Sequence, residues 1–225
     1  GYTGNNNGGY RFPGNTSNLI TLPSTIQNLV DNQIVARSFT ISFWIKFRDT
    51  NTSAINYILS FSTGDSTNNK LHFFRYTDDK IGFAFFNTGN DCMSTNTIAD
   101  TSWHHVVGTF TTGGPATNGV KVLYIDGKFE GRNTVGYPNL TGAPNFELGY
   151  TTNSFFSLDD FRIYNEALTS NEIMRLYTSY NPKGIKIMDS GNVGIGKNYP
   201  DCPLYIKNTS NDINSTTVLA SSGQS

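Results

Sequence analysis

The sequence predicts an all-β sandwich or barrel with one short helix. Three observations carry this expectation. The chain of 225 residues holds 16 Phe and 12 Tyr, side chains that favour strands over helices. Over residues 38–47, Phe39, Ile41, Phe43, Ile45 and Phe47 share one face, while Thr40, Ser42 and Lys46 share the other with Trp44 among them. That is the period of two of a strand with one buried face. Similar short runs recur along the chain with turn residues between them, the spacing of a sandwich or barrel.

Taken in order, strands are expected at 19–22, 38–47, 57–62, 70–76, 81–87, 103–110, 120–125, 128–132, 146–149 and 156–164. Asp78-Asp79 joins one hairpin, and Asp126-Gly127 is a two-residue hairpin signal. Gly113-Gly114-Pro115 breaks a further connection. Thr169-Ser170-Asn171-Glu172 is a capping box, with Thr169 as N-cap and Glu172 at the third helical position. Ile173, Leu176 and Tyr177 then form one apolar stripe, and Asn181-Pro182 ends the helix near Tyr180. This helix is expected on the edge of the sandwich. After Pro182 short apolar pairs (Ile185 and Ile187, Val193 and Ile195, Leu204 and Ile206) stand in a polar background too small for a monomeric core. The expected domains are therefore 1–182, the sandwich, and 183–225, a tail segment.

Composition narrows the function. The net charge is −1 and no basic stripe is visible, so the electrostatic footprint of a nucleic-acid binder is missing. No apolar run approaches the roughly 20 residues of a membrane-spanning helix, so no membrane insertion is expected. The chain opens Gly-Tyr-Thr-Gly without a leader-like segment and reads as a piece of something longer. Cys92 and Cys202 are compatible with one disulfide or with two free thiols. Sequons at Asn15, Asn51, Asn139, Asn208 and Asn214 carry little weight in so Asn- and Thr-rich a chain.

Several segments resemble one family in the right order. Tyr10-Arg11-Phe12-Pro13-Gly14-Asn15 with Leu19-Ile20-Thr21-Leu22-Pro23 is similar to the first strands of laminin-G-like, concanavalin-A-like domains. Residues 38–45 resemble their next core strand. Trp103-His104-His105-Val106-Val107-Gly108-Thr109 and Leu123-Tyr124-Ile125-Asp126-Gly127-Lys128 resemble the central pair. Leu158-Asp159-Asp160-Phe161-Arg162-Ile163-Tyr164 and the residues to Thr169 resemble the closing strand and the approach to the helix. The resemblance spans roughly residues 10–180. It implies a concanavalin A-like jelly-roll sandwich of two antiparallel sheets, in a family of lectins, adhesion modules and some polysaccharide-cleaving enzymes. Gly191-Asn192-Val193-Gly194-Ile195-Gly196, followed by Pro200 and Leu204-Tyr205-Ile206, is similar to a segment of phage and large-virus tail or fibre proteins. That second resemblance implies a shaft-like, β-rich tail, a homotrimer joined through it, and an extracellular or virion-surface location.

The chemistry points away from catalysis. Sugar-cleaving relatives carry an E-x-D-x-x-E strand, which sets alternate carboxylates toward the substrate. No segment here has it, and the nearest spacing is Asp126 to Glu130 across a turn. His104 and His105 are adjacent and so face opposite ways on a strand, and His72 lies on another strand. No Ser/His/Asp order with a nucleophile elbow is present. Gly191 to Gly196-Lys197 misses the phosphate loop, because Asn198 stands where Ser or Thr is needed.

The resemblance also implies one structural calcium at Asp159 and Asp160, since calcium takes oxygen ligands. The alternative is that Asp159 caps a loop or pairs with an Arg. Tyr76, Asp78, Asp79, Asn87, Asn90 and Asp91 surround one hairpin and its exit. They are candidates for ligand contact, combining an aromatic face with polar groups; the alternative is a solvated hairpin tip. Trp44 is either a sugar platform or covered by a neighbouring segment, and Phe39, Phe83 and Phe85 are core. The expected function is non-catalytic binding of a cell-surface glycan or receptor at the head of a fibre-like protein. An enzyme of the same fold and a structural spacer are the alternatives.

Overall fold

The computed structural model describes residues 9–13, 19–21, 38–48, 54–62, 71–85, 91–112, 119–135, 145–149, 155–180, 185–187, 193–195 and 204–206. The strands are β1 (Tyr10–Pro13), β2 (Ile20–Thr21), β3 (Phe39–Phe47), β4 (Asn56–Ser62), β5 (Leu71–Arg75), β6 (Lys80–Phe85), β7 (Cys92–Thr97), β8 (Trp103–Thr111), β9 (Gly119–Ile125), β10 (Lys128–Val135), β11 (Asn145–Leu148) and β12 (Phe155–Tyr164). Helix α1 (Ser170–Tyr180) follows, then β13 (Ile185–Ile187), β14 (Val193–Ile195) and β15 (Leu204–Ile206). The chain divides into two compact units, Gly1–Ser170 and Asn171–Ser225.

The first unit is the expected sandwich. One six-stranded sheet has the order β1-β12-β3-β8-β9-β10 and the other β2-β11-β4-β5-β6-β7. Every pairing in both is antiparallel. The core lies between them. Phe43 of β3 meets Phe73 of β5 edge-to-face across the gap at 5.3 Å, and Phe73 stacks on Phe83 of β6 at 4.6 Å. Gly108 of β8 makes the space: a Cβ there would lie 2.4 Å from the Phe73 ring. Burial of each such ring contributes about 1.5–3 kcal/mol.

Turn chemistry sets the hairpins where the sequence placed them. Asp126 and Gly127 both adopt positive φ, at 52° and 74°, as a type I′ hairpin turn requires. Asp79, at φ 64°, closes the β5–β6 turn, where the Asp79 amide donates to the Tyr76 carbonyl at 3.0 Å.

Two features depart from the sequence pattern. Strand β7 (Cys92–Thr97) was not expected, because only Cys92 and Ser94 of its six residues are buried and Ser94 does not register as apolar. Strand β12 is broken by a register shift between Asp159 and Arg162, with Asp160 at φ 49°. Asp159 and Asp160 therefore sit at a bulge in β12.

The outer edges β7 and β10 are pinned together. Both oxygens of the buried Glu130 carboxylate accept from Asn96: the Asn96 amide at 2.8 Å, and its Nδ2 at 3.0 and 3.2 Å. Thr95 Oγ1 donates to the Glu130 carbonyl at 2.7 Å. Side chains so cover edges that would otherwise be open for pairing.

In the second unit, α1 spans the expected residues and buries Ile173. Strands β13, β14 and β15 form a small sheet, antiparallel between β13 and β14 and parallel between β14 and β15. Each falls on one of the apolar pairs read from the sequence. None of the described helices is long and apolar enough to cross a membrane.

Candidate functional site

A groove of about 740 Å³ opens on the face of the second sheet turned away from the core. Its floor follows from strand periodicity. In β5, Leu71 and Phe73 enter the core, so His72 and Phe74 lie on the other face, with Tyr76 continuing the row. Tyr57 of β4 joins them, 5.2 Å from the His72 ring and 6.1 Å from that of Phe74. Phe74 and Tyr76 meet edge-to-face at 6.5 Å. Gly82 pairs with Phe74 across β5 and β6, and a Cβ on Gly82 would fall 2.2 Å from the Phe74 ring. The absent side chain thus lets the ring lie over β6. Ala84 and Met93 complete the floor. From Tyr76 to His72 it runs about 13 Å at 3.3 Å per residue.

Polar groups stand at the two ends. Asp78 and Lys80 flank the β5–β6 turn, where the Lys80 amide donates to Asp78 Oδ1 at 3.2 Å and Lys80 Nζ lies 3.8 Å from Asp78 Oδ2. The Asp78 side chain is 53% exposed. Asp91 lines the far end, exposed just before β7, and its carbonyl accepts from Asn133 Nδ2 at 3.2 Å.

Of the residues singled out in the sequence, Tyr76, Asp78 and Asp91 come together around this groove. Asp79 is not among its lining residues. Its carboxylate pairs with the fully buried Arg75 at 2.6 Å, and Arg75 in turn stacks over the Phe47 ring at 4.4 Å. Asn87 and Asn90 lie outside the described residues. Sequence reasoning passed over Tyr57, Phe74 and Lys80, and noted His72 only as lying on a different strand from His104 and His105. The row His72, Phe74, Tyr76 at period two, opposite Gly82, was the available signal.

Other polar clusters are structural. Trp44 is covered, 1% exposed, with its ring 5.1 Å from that of His105. Ser42 Oγ and His105 Nε2 are 2.8 Å apart, a pair that resembles a nucleophile and base, yet both are wholly buried. Burial pushes His105 down to about 4, with Asp126 and Asp160 opposing the fall, so it is neutral at pH 7. His104 behaves oppositely. Burial works against its charged form, but hydrogen bonds to Asp126 Oδ2 at 2.8 Å and Asp100 Oδ1 at 3.0 Å outweigh that and raise its pKa. Asp126 and Glu130, the nearest carboxylates in sequence, are engaged separately, Asp126 with the two histidines and Glu130 with Asn96. Cys92 is a free buried thiol, pushed up to about 11 by burial, which suppresses its nucleophilic form. Its candidate partner Cys202 lies outside the described residues. Lys121, fully buried with its ammonium 4.9 Å from the Phe85 ring, is pushed down to about 8 by burial, partly offset by Asp91 and Cys92.

Asp159 and Asp160 sit at the β12 bulge. Asp159 Oδ1 accepts the Asp160 amide at 2.9 Å, and Asp160 Oδ1 accepts from Arg162 Nε at 2.7 Å. Among the described residues no group of three His, Cys, Asp or Glu side chains is placed to share a metal ion.

With fold and groove in place, the class of protein follows. The model of the concanavalin A-like lectin/glucanases superfamily matches residues 13–174. The chain belongs to that superfamily. Its fold is similar to the binding domain of botulinum neurotoxin DC, solved in complex with rat synaptotagmin II, at 21% identity and TM-score 0.54 over 74% of this chain and 40% of that one. The same toxin's binding domain in complex with SialylT matches at 21% identity and TM-score 0.55, with equal coverage. The serotype C1 binding domain matches at 19% identity and TM-score 0.55, over 74% of this chain and 41% of that one. The chain thus spans about two fifths of those domains. No curated protein matches it.

Proposed function

We propose that this chain is a non-catalytic recognition module that holds a cell-surface glycan in the groove on its second sheet. The observation that carries this reading is the aromatic floor of Tyr57, Phe74 and Tyr76, with carboxylates at both ends. Pyranose rings present an apolar C–H face that packs on aromatic rings, while their hydroxyls seek polar groups at the edges. The toxin domains of similar fold, solved with a receptor and with SialylT, are the same scaffold used for recognition.

A hydrolase would need a carboxyl group in desolvated surroundings to hold a proton at neutral pH. The groove instead offers Asp78 and Asp91 in solvent, and its floor carries aromatic rings rather than paired acids. An outward-facing location, outside the cell or on a particle surface, suits such a module. The tail belongs to the same reading as a trimer-forming shaft of a fibre-like protein. A sheet of three strands of three residues offers too little apolar surface for a core of its own, and threefold association would complete it. Tethered heads would raise avidity by about 10²–10⁴-fold. A structural calcium with Asp159 as acidic donor is also included.

The deciding experiment is a glycan array probed with the full chain and with Tyr76→Ala. Binding that Tyr76→Ala weakens by about tenfold is expected; absence of binding to any glycan overturns the reading. A polysaccharide panel should release no reducing ends or unsaturated products, and light scattering should give three chains.

A further inference from the structure

We infer that the groove selects uncharged pyranosides and rejects sugars bearing a carboxylate or sulfate. This rests on the groove being a glycan site and specifies which glycans it takes.

The side-chain groups that reach the groove's ends decide the sign. Asp78 and Asp91 are carboxylates in solvent. Ionised carboxylates only accept hydrogen bonds, so what they recognise is a donor, and neutral sugars are rich in hydroxyl donors. One carboxylate can take two neighbouring hydroxyls at once. An anionic substituent placed against either would face like charge while losing its own water, a combination that works against binding.

The cation nearby does not reverse this. Lys80 is the one Lys or Arg lining the groove among the described residues, and its ammonium lies 3.8 Å from Asp78. Two carboxylates against one ammonium leave the lining negative by one charge. Lys121 offsets part of the field at Asp91, but it is fully buried over the Phe85 ring and touches no ligand in the groove. The floor adds shape. Tyr76 is 43% exposed and offers a ring face at the Asp78 end of the floor, where the apolar side of an uncharged sugar ring can lie with hydroxyls directed to that carboxylate.

The test uses matched oligosaccharides ending in galactose, mannose or N-acetylhexosamine, each with its sialylated and sulfated counterpart, titrated against the full chain. Neutral members are expected to bind at least about tenfold tighter than their charged counterparts, a difference of about one pairwise charge interaction. Tyr76→Ala should weaken neutral binding by about tenfold. The double variant Asp78→Asn/Asp91→Asn, exposed at both positions, should weaken neutral binding and shrink the discrimination to less than about threefold. Charged members binding as well as or better than neutral ones, with Tyr76→Ala abolishing that binding, overturns the inference and leaves the groove as a glycan site. Discrimination unchanged in the double variant overturns it equally. No binding by any member, or binding untouched by Tyr76→Ala, overturns the glycan reading itself.

Discussion

Replacing Glu130 by Ala tests how the two sheets are fastened at their outer edges. Glu130 is 5% exposed and receives the Asn96 amide at 2.8 Å and Asn96 Nδ2 at 3.0 Å. Hydrogen bonds to a charged group contribute about 1.5–3 kcal/mol each. Asn96 itself is exposed, so water replaces part of what is lost, and the lower end applies. The Thr95 hydroxyl keeps its bond, because it uses the Glu130 carbonyl. Glu130→Ala should therefore cost about 3 kcal/mol for the two bonds together. For a domain of this size each kcal/mol lowers Tm by about 2–4 °C, which gives a drop of about 6–12 °C. Glu130→Gln keeps the shape and one acceptor oxygen and should lose about half as much. The assay is thermal unfolding followed by circular dichroism, with hydrogen exchange at the Asn96 amide as a local reporter. An unchanged Tm in Glu130→Ala, with Asn96 still protected, would show that packing alone joins these edges.

Three further outcomes are expected. Gly82→Ala forces the Phe74 ring off β6 and should cost about 1–3 kcal/mol as overpacking while weakening glycan binding; a variant as stable and as active as the wild type refutes the role given to Gly82. The pKa of His104 is raised, so its contribution is fully present below its unfolded value near 6.5 and is lost as pH rises through the folded value. The Tm difference between wild type and His104→Gln should therefore be larger at about pH 5.5 than at about pH 8.5. His105, depressed to about 4, loses stability as pH falls below 6.5, but it is present in both proteins and largely cancels; a pH-independent difference refutes the assignment to His104. If Asp159 holds calcium, excess chelator and Asp159→Ala should each lower Tm, by roughly 2.7 kcal/mol of stability at an ion concentration of about 100 Kd, and an unchanged melting curve removes the ion.

What the sequence made legible follows from how each strand meets its surroundings. Strand β3 announced itself because its core face is unbroken Phe and Ile. The hairpin at Asp126-Gly127 was legible because few other residue pairs tolerate two positive φ values. Strand β7 was hidden, since its inward positions are Cys92 and Ser94. At the groove, Tyr76, Asp78 and Asp91 were found because turn residues are polar and conspicuous. Phe74 was missed because a Phe in a strand reads as core, although its period-two row with His72 and Tyr76, opposite Gly82, sets it on the other face. Asp79 was grouped with its neighbours because nothing in the sequence says that Arg75 is buried. That follows from Arg75 falling at the core-facing end of β5, where Phe47 and Asp79 receive it.

The order β1-β12-β3 in the first sheet has a consequence for how the protein is made. Strand β12 inserts between β1 and β3, yet it is synthesised more than a hundred residues after either. While a ribosome is still producing the intervening chain, β3 has β8 on one side and an open, Phe- and Ile-rich edge on the other. Such an edge invites pairing with other nascent chains. Completion of the sheet therefore waits for Tyr164, and folding is limited by contacts distant in sequence. A chain released before β12 should be insoluble, whereas one extending through β12 should not, which fractionation of truncated translation products would reveal.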